Sequence, residues 1–200
     1  MRPMSLQVIT QPASEPVTVA EAKLHCRVDI DDLDASFTGW IAAARAAAET
    51  ATQRRLITQT VEAKYADWPA NGYGFWLPGP PLASVTYVKY YGADGTEQTL
   101  STDVYEVDTA SEPGQVVLKP GQSWPTLYGD KANPIRVRYV AGYSDATTMA
   151  AALPQVKTGI LMCVADWYTT PQNQITGAIA SKVPYGAETL FGQCAVPWGY

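Results

Sequence analysis

At 200 residues the chain is long enough for one domain with a real core plus a small subdomain, and too short for two large domains. With 46% hydrophobic and 16% charged residues it is too apolar to be disordered. A formal net charge of -5 argues against a specific grip on nucleic acid, which needs a basic patch to neutralise phosphates.

Pro16-Val17-Thr18 leads into Val19-Ala20-Glu21-Ala22-Lys23-Leu24, and Thr18 with Glu21 has the spacing of a capping box. This predicts a short helix ending near Cys26 or Arg27. Asp29, Asp31, Asp32 and Asp34 then crowd a second helix start, where carboxylates cap free amides and complement the helix dipole. Leu33, Phe37, Trp40, Ile41, Ala44 and Ala48 recur at intervals of three and four, predicting an amphipathic helix from about Asp31 to Gln53. Gly39 weakens it by about 1 kcal/mol relative to alanine.

Beyond Leu56 the period becomes two. Ile57, Val61, Ala63 and Tyr65 alternate with Thr58, Thr60, Glu62 and Lys64, a strand with one wet face. A turn through Asn71-Gly72 precedes a short strand at Phe75-Trp76-Leu77. Val85 to Tyr91 and Thr96 to Leu100 flank Asp94-Gly95, a hairpin signal because this pair accepts positive φ. A second hairpin is expected from Tyr105–Val107 to Val116–Leu118, and Ile135, Val137 and Tyr139 form a last strand. Helical periodicity returns near Met149, with Pro154 tolerated in a first turn. Val156, Ile160, Cys163, Val164 and Trp167 line one face until Thr170-Pro171. Gln172 to Lys182 is expected to be a mobile loop, and a short helix is expected around Glu188 to Phe191.

Catalytic chemistry finds little support. The single histidine, His25, adjoins Cys26, but adjacent helical residues do not face each other. Cys26, Cys163 and Cys194 show no CxxC spacing and read as reduced structural cysteines. Counted from Asp29, the glycine and glutamate positions of a calcium loop hold Asp34 and Trp40, so that motif fails. No phosphate-binding glycine loop is present. Asp67, Asp103 and Glu106 carry no spacing that pairs them as a glycosidase would. Trp68, Tyr73, Phe75 and Trp76 read as sheet packing before they read as a ligand platform. The chain is expected to be no enzyme, with no metal and no cofactor. The first ten residues lack the apolar run of a signal peptide, and the longest apolar stretch, Ile160 to Ala165, is too short for a bilayer. A soluble product made inside the cell is expected.

Several segments, in this order, carry a resemblance. Glu15-Pro16-Val17-Thr18-Val19-Ala20-Glu21-Ala22-Lys23 and Asp29-Ile30-Asp31-Asp32 lead into Ile41-Ala42-Ala43-Ala44-Arg45 and out through Arg54-Arg55-Leu56-Ile57-Thr58-Gln59-Thr60. Later come Leu77-Pro78-Gly79-Pro80-Pro81-Leu82-Ala83-Ser84-Val85, Gly121-Gln122-Ser123-Trp124-Pro125, Val137-Arg138-Tyr139-Val140-Ala141-Gly142-Tyr143 and Leu153-Pro154. Their order and spacing resemble the head–tail connector (adaptor) family of long-tailed double-stranded DNA bacteriophages, in its longer form with a β-rich insertion. The sequence departs from that family where an arginine often precedes the final aromatic segment; Cys194-Ala195 stands there instead.

The resemblance implies a structural virion protein at the head–tail junction, assembled in the bacterial host cytoplasm. Its partners would be itself, in a ring of about twelve, the portal protein above and a stopper or other tail-side protein below. DNA would pass through the channel without specific contact, and no membrane would be involved. The expected fold class is α+β: a helical body, made of an N-terminal helix pair and a late helix, with an inserted subdomain rich in β-hairpins. Residues 1–56 and 144–200 would form the body and 57–143 the insertion. Phe191, Trp198 and Tyr200 are expected to anchor the tail on a neighbour or the portal. Asp29, Asp31, Asp32 and Asp34 are expected to face the channel, where their charge keeps DNA from sticking. Two other readings stand beside this one: another head–tail joining protein (stopper or tail-completion), or a β-rich ligand-binding module or small hydrolase.

Overall fold

A computed structural model describes residues 3–70, 74–170 and 186–196. In chain order these form β1 (Ser5–Thr10), α1 (Val19–Cys26), α2 (Asp34–Thr52), β2 (Gln59–Tyr65), β3 (Gly74–Trp76), β4 (Leu82–Tyr91), β5 (Glu97–Thr99), β6 (Tyr105–Asp108), β7 (Gln115–Leu118), β8 (Ile135–Ala141), α3 (Ala146–Ala152), α4 (Pro154–Thr169) and α5 (Ala187–Gln193). The fold class is α+β. Two compact units result: Met1–Ala13 with Thr58–Tyr143, and Ser14–Ile57 with Ser144–Tyr200. The first thirteen residues therefore belong to the β-rich unit, not to the helical part in which the sequence places them.

In the β-rich unit a five-stranded antiparallel sheet runs β1-β2-β8-β4-β5, and a three-stranded one runs β3-β7-β6. Alternation dictates the faces. Val61, Ala63 and Tyr65 of β2 lie opposite Tyr139, Val137 and Ile135 of β8, and all six are at most 1% exposed. They join Phe75, Leu77, Val88, Tyr105 and Val116 in one apolar core. Buried hydroxyls need acceptors. Tyr65 donates to the Trp76 carbonyl at 2.8 Å and Tyr139 to the Pro78 carbonyl at 2.7 Å. Gly95, at φ 75°, turns the hairpin between β4 and β5 as Asp-Gly predicts. Gly74 is required for a different reason: a Cβ there would sit 2.5 Å from the Val116 carbonyl oxygen.

Strand β1 has no strong sequence signal, because five of its six residues are exposed. It exists through pairing with β2, from Ser5 opposite Lys64 to Thr10 opposite Thr60, with a bulge at Ile9. The wet face expected for β2 is also only partly wet, since Glu62 is 5% exposed.

In the helical unit the capping box forms as expected: the Thr18 hydroxyl accepts from the Glu21 amide at 3.2 Å, and the Thr18 amide donates to the Glu21 carboxylate at 2.8 Å. Arg27 closes α1 in the left-handed conformation. Helix α2 buries Phe37, Ile41, Ala44 and Ala48, the expected stripe, and packs on α4. The late helical region is two helices. Asp145 caps α3, and the chain bends by 110° at Leu153 before Pro154 opens α4. Helix α5 rests on α4, and the Val196 amide donates to the Thr52 carbonyl at 3.0 Å.

Candidate functional site

The acids expected at the start of α2 do not cap it. Its first flanking residue is Leu33, with no side-chain cap. Lys23 instead reaches from α1 to Asp31 at 2.6 Å and Asp34 at 2.8 Å, pinning the corner between the two helices. A side chain eight and eleven residues away outcompetes the local amides. Lys23 is pulled above the ordinary lysine range by Asp31 first and Asp34 second, and Lys23 holds the Asp31 carboxyl below its usual range. Asp29 and Asp32 are exposed and make no ion pair among the described residues. Leu24 and Ile30 stand among these acids, 80% and 56% exposed. The structure thus brings the four acids together and adds two apolar side chains that sequence reading passed over.

Of the three expected tail anchors, Phe191 is 4% exposed. Its ring lies over Gly159 of α4, where a Cβ would come within 2.5 Å of Cε1. The ring packs against α4 of its own chain rather than standing at the surface, where the sequence reading expects it as an anchor. Trp198 and Tyr200 lie outside the described residues, as do the expected loop from Gln172 to Lys182, the turn at Asn71-Gly72, and Tyr73. Arg54 and Arg55, the basic cluster in the sequence, are used internally. Arg54 Nε donates to the Cys194 carbonyl at 2.9 Å, and Arg55 pairs with Glu49 at 3.2 Å. Glu49, whose side chain is 5% exposed, also meets Arg45 at 3.5 Å and accepts from the Leu56 amide at 3.0 Å. Arg45 in turn reaches Glu15 at 2.7 Å.

A second charged surface appears on the outer face of the five-stranded sheet. Register places Lys64 opposite Arg136 and Arg136 opposite Lys89, three cations in a row across β2, β8 and β4. Beside them Glu62 lies opposite Arg138, and Arg138 opposite Tyr87. Glu97 of β5 takes Arg136 and, at 3.1 Å, Lys89. Glu62 accepts from Arg138 at 2.9 Å and from the Tyr87 hydroxyl at 3.0 Å. Burial pushes the Glu62 carboxyl up, but Arg138 and Tyr87 outweigh it and hold it below the usual range. Lys89, with help from Arg136, does the same for Glu97. The Lys64 ammonium has no hydrogen bond or ion pair among the described residues. Sequence shows Arg136 and Arg138 alternating; only the strand register adds Lys64 and Lys89.

His25, Cys163 and Asp166 line one cleft of about 500 Å³ beside α4. Burial drives the Cys163 thiol upward, away from the thiolate that a nucleophile or metal ligand requires. No group of three or more His, Cys, Asp or Glu side chains is placed to hold a metal, again among the described residues. No single described helix is long and apolar enough to cross a membrane. Trp68 stacks on Trp124 with centroids 4.6 Å apart and donates to the Pro125 carbonyl at 2.8 Å, beside Phe75. These rings pack the sheet rather than form an open platform, although Trp76 is 40% exposed.

No protein-family model matches the chain, and no curated protein matches it. Solved structures do. A chain in the virion of a native gene transfer agent particle superimposes with a TM-score of 0.77 and 22% identity, covering 98% of each chain. A chain in the neck of the empty particle, computed with C6 symmetry, gives 0.74 and 22%, and one in the neck of the native particle, computed with C12 symmetry, gives 0.70 and 20%. Both again cover 98% of each chain. The chain therefore shares, over nearly its whole length, the fold of chains from gene transfer agent virions and necks.

Proposed function

We propose that the protein is a structural subunit of the neck of a phage-like particle: a head–tail connector of the adaptor type, sitting as a ring beneath the portal. In that place it extends the DNA channel and docks the next tail-side protein. The observation that carries this reading is the match of the whole chain, both units included, to chains of gene transfer agent necks. A protein that borrowed only one of the two units for another purpose would match in part. Those necks were computed with cyclic symmetry, which supports a ring of identical subunits for this chain as well. The helical unit, with five helices among its described residues and Phe37, Ile41 and Ile160 buried, favours the adaptor over a stopper or tail-completion protein, which is commonly barrel-like. No catalytic role is proposed, and the channel would meet DNA only passively.

Removing the gene from the genome that encodes the particle tests this. Filled heads and free tails should accumulate without joining, and the gene supplied separately should restore whole particles. Normal joined particles in its absence would contradict the proposal.

A further inference from the structure

We propose that the corner between α1 and α2 of one copy docks on the outer face of the five-stranded sheet of the next copy, acid against base around exposed apolar side chains. This rests on the ring reading above and deepens it. A closed ring of identical chains needs a heterologous contact, in which each copy presents two different patches that complement each other. The chain carries such a pair.

The first patch is the sheet face. Like charges directly opposite on neighbouring strands destabilise a sheet. The row Lys64, Arg136 and Lys89 is therefore a local cost that the β-rich unit does not need for folding. Glu97 and Glu62 offset part of it, and the Lys64 ammonium has no partner among the described residues. Lys64, Lys89, Arg136 and Arg138 against two carboxylates leave this face positive, in a unit whose acidic residues outnumber its basic ones. A row of this kind is relieved by carboxylates arriving from outside.

The second patch supplies them. Asp29 and Asp32 are exposed without an ion pair, and Asp31 keeps 89% of its side-chain exposure despite Lys23. Leu24 and Ile30, among these acids, are the large apolar side chains that the helical unit exposes among its described residues. An apolar centre rimmed by charge is the make-up of a protein–protein contact. A wall facing DNA would gain nothing from exposed leucine and isoleucine. The sheet face is equally ill suited to DNA: its two guanidinium groups are held by Glu62 and Glu97, and a phosphate grip draws on several free cations. The acids expected at the channel thus face a neighbouring subunit in this arrangement.

The test uses two variants of the full chain, Lys64→Glu/Arg136→Glu and Asp29→Lys/Asp32→Lys, with sedimentation velocity at rising concentration. Lys64→Glu alone guards against a folding defect, because it breaks no ion pair among the described residues. Wild-type protein should associate, and each variant alone should associate roughly tenfold or more weakly. A one-to-one mixture should recover, because the reversed sheet face of one variant meets the reversed corner of the other in alternation. Variants that each assemble like wild type, or a mixture that stays dissociated, would overturn the docking while leaving the ring reading intact. Wild-type protein that remains monomeric at every concentration and salt level would overturn both. Duplex DNA bound through Lys64 and Arg136 by a protein whose variants still assemble would name DNA as the occupant, and so overturn the proposal.

Discussion

Glu49 shows how single side chains hold the helical unit. It lies on α2 one turn after Arg45, nearly out of solvent, and joins Arg45, Arg55 and the Leu56 amide. Removing one partner of a buried ion pair leaves the other charged and unpaired, which costs about 3–5 kcal/mol. Glu49→Ala should lower unfolding stability by that order in denaturant titrations, and Glu49→Gln, which keeps an acceptor for Leu56, should cost less. Glu62 and Glu97 have a second signature. Both carboxyls are held below the ordinary glutamate value of 4.5 in the folded state. Their contribution is therefore complete above about pH 4.5 and is lost as pH falls through the lower folded values. Thermal melts between pH 7 and pH 3 should show the midpoint dropping in that acid window, and Glu62→Gln should flatten the drop. An unchanged slope would show that Glu62 is not held this way. Such pairs are poorly legible in sequence, because Lys23 with Asp31, or Glu62 with Arg138, is decided by tertiary register and not by spacing. The acids before α2 illustrate this: capping rules assign them to amides, and Lys23 claims two of them.

Elements with local signals were legible. Thr18 and Glu21 specify the start of α1, Asp94-Gly95 the turn between β4 and β5, and the three-four spacing from Phe37 to Ala48 the buried stripe of α2. Strand β1 was not, since its side chains are mostly exposed and it is held by pairing with β2. The break between α3 and α4 was half legible: Pro154 marks a helix start, but nothing local in the sequence marks the 110° turn at Leu153, which has buried Met149 before it and buried Val156 after it. Helix α5 has seven residues, too few to stand alone in water, so its stability comes from Phe191 over Gly159. Phe191→Ala should therefore cost about 3–5 kcal/mol and release α5 first, seen as faster amide exchange from Ala187 to Gln193 than in α2. Equal protection in both helices would contradict that order.

At the scale of the molecule, many of the described polar groups serve structure and surface charge. Its buried acids hold arginines, its aromatic rings fill a core, and burial acts against thiolate formation at Cys163 in the cleft beside α4. The whole chain shares its fold with chains of gene transfer agent necks, and under the proposed function this inventory belongs to a subunit whose work is to be held and to hold. The fold class and most elements followed from periodicity, and the connector reading followed from the order of short motifs. The two charged faces emerged only when strands were placed beside one another. The most direct measurement is symmetry-averaged electron microscopy of the neck in particles that carry this chain. The account predicts density for both units repeated around a closed ring between head and tail. Finding the chain in single copy, or in the head shell or tail tube and absent from the neck, would contradict it.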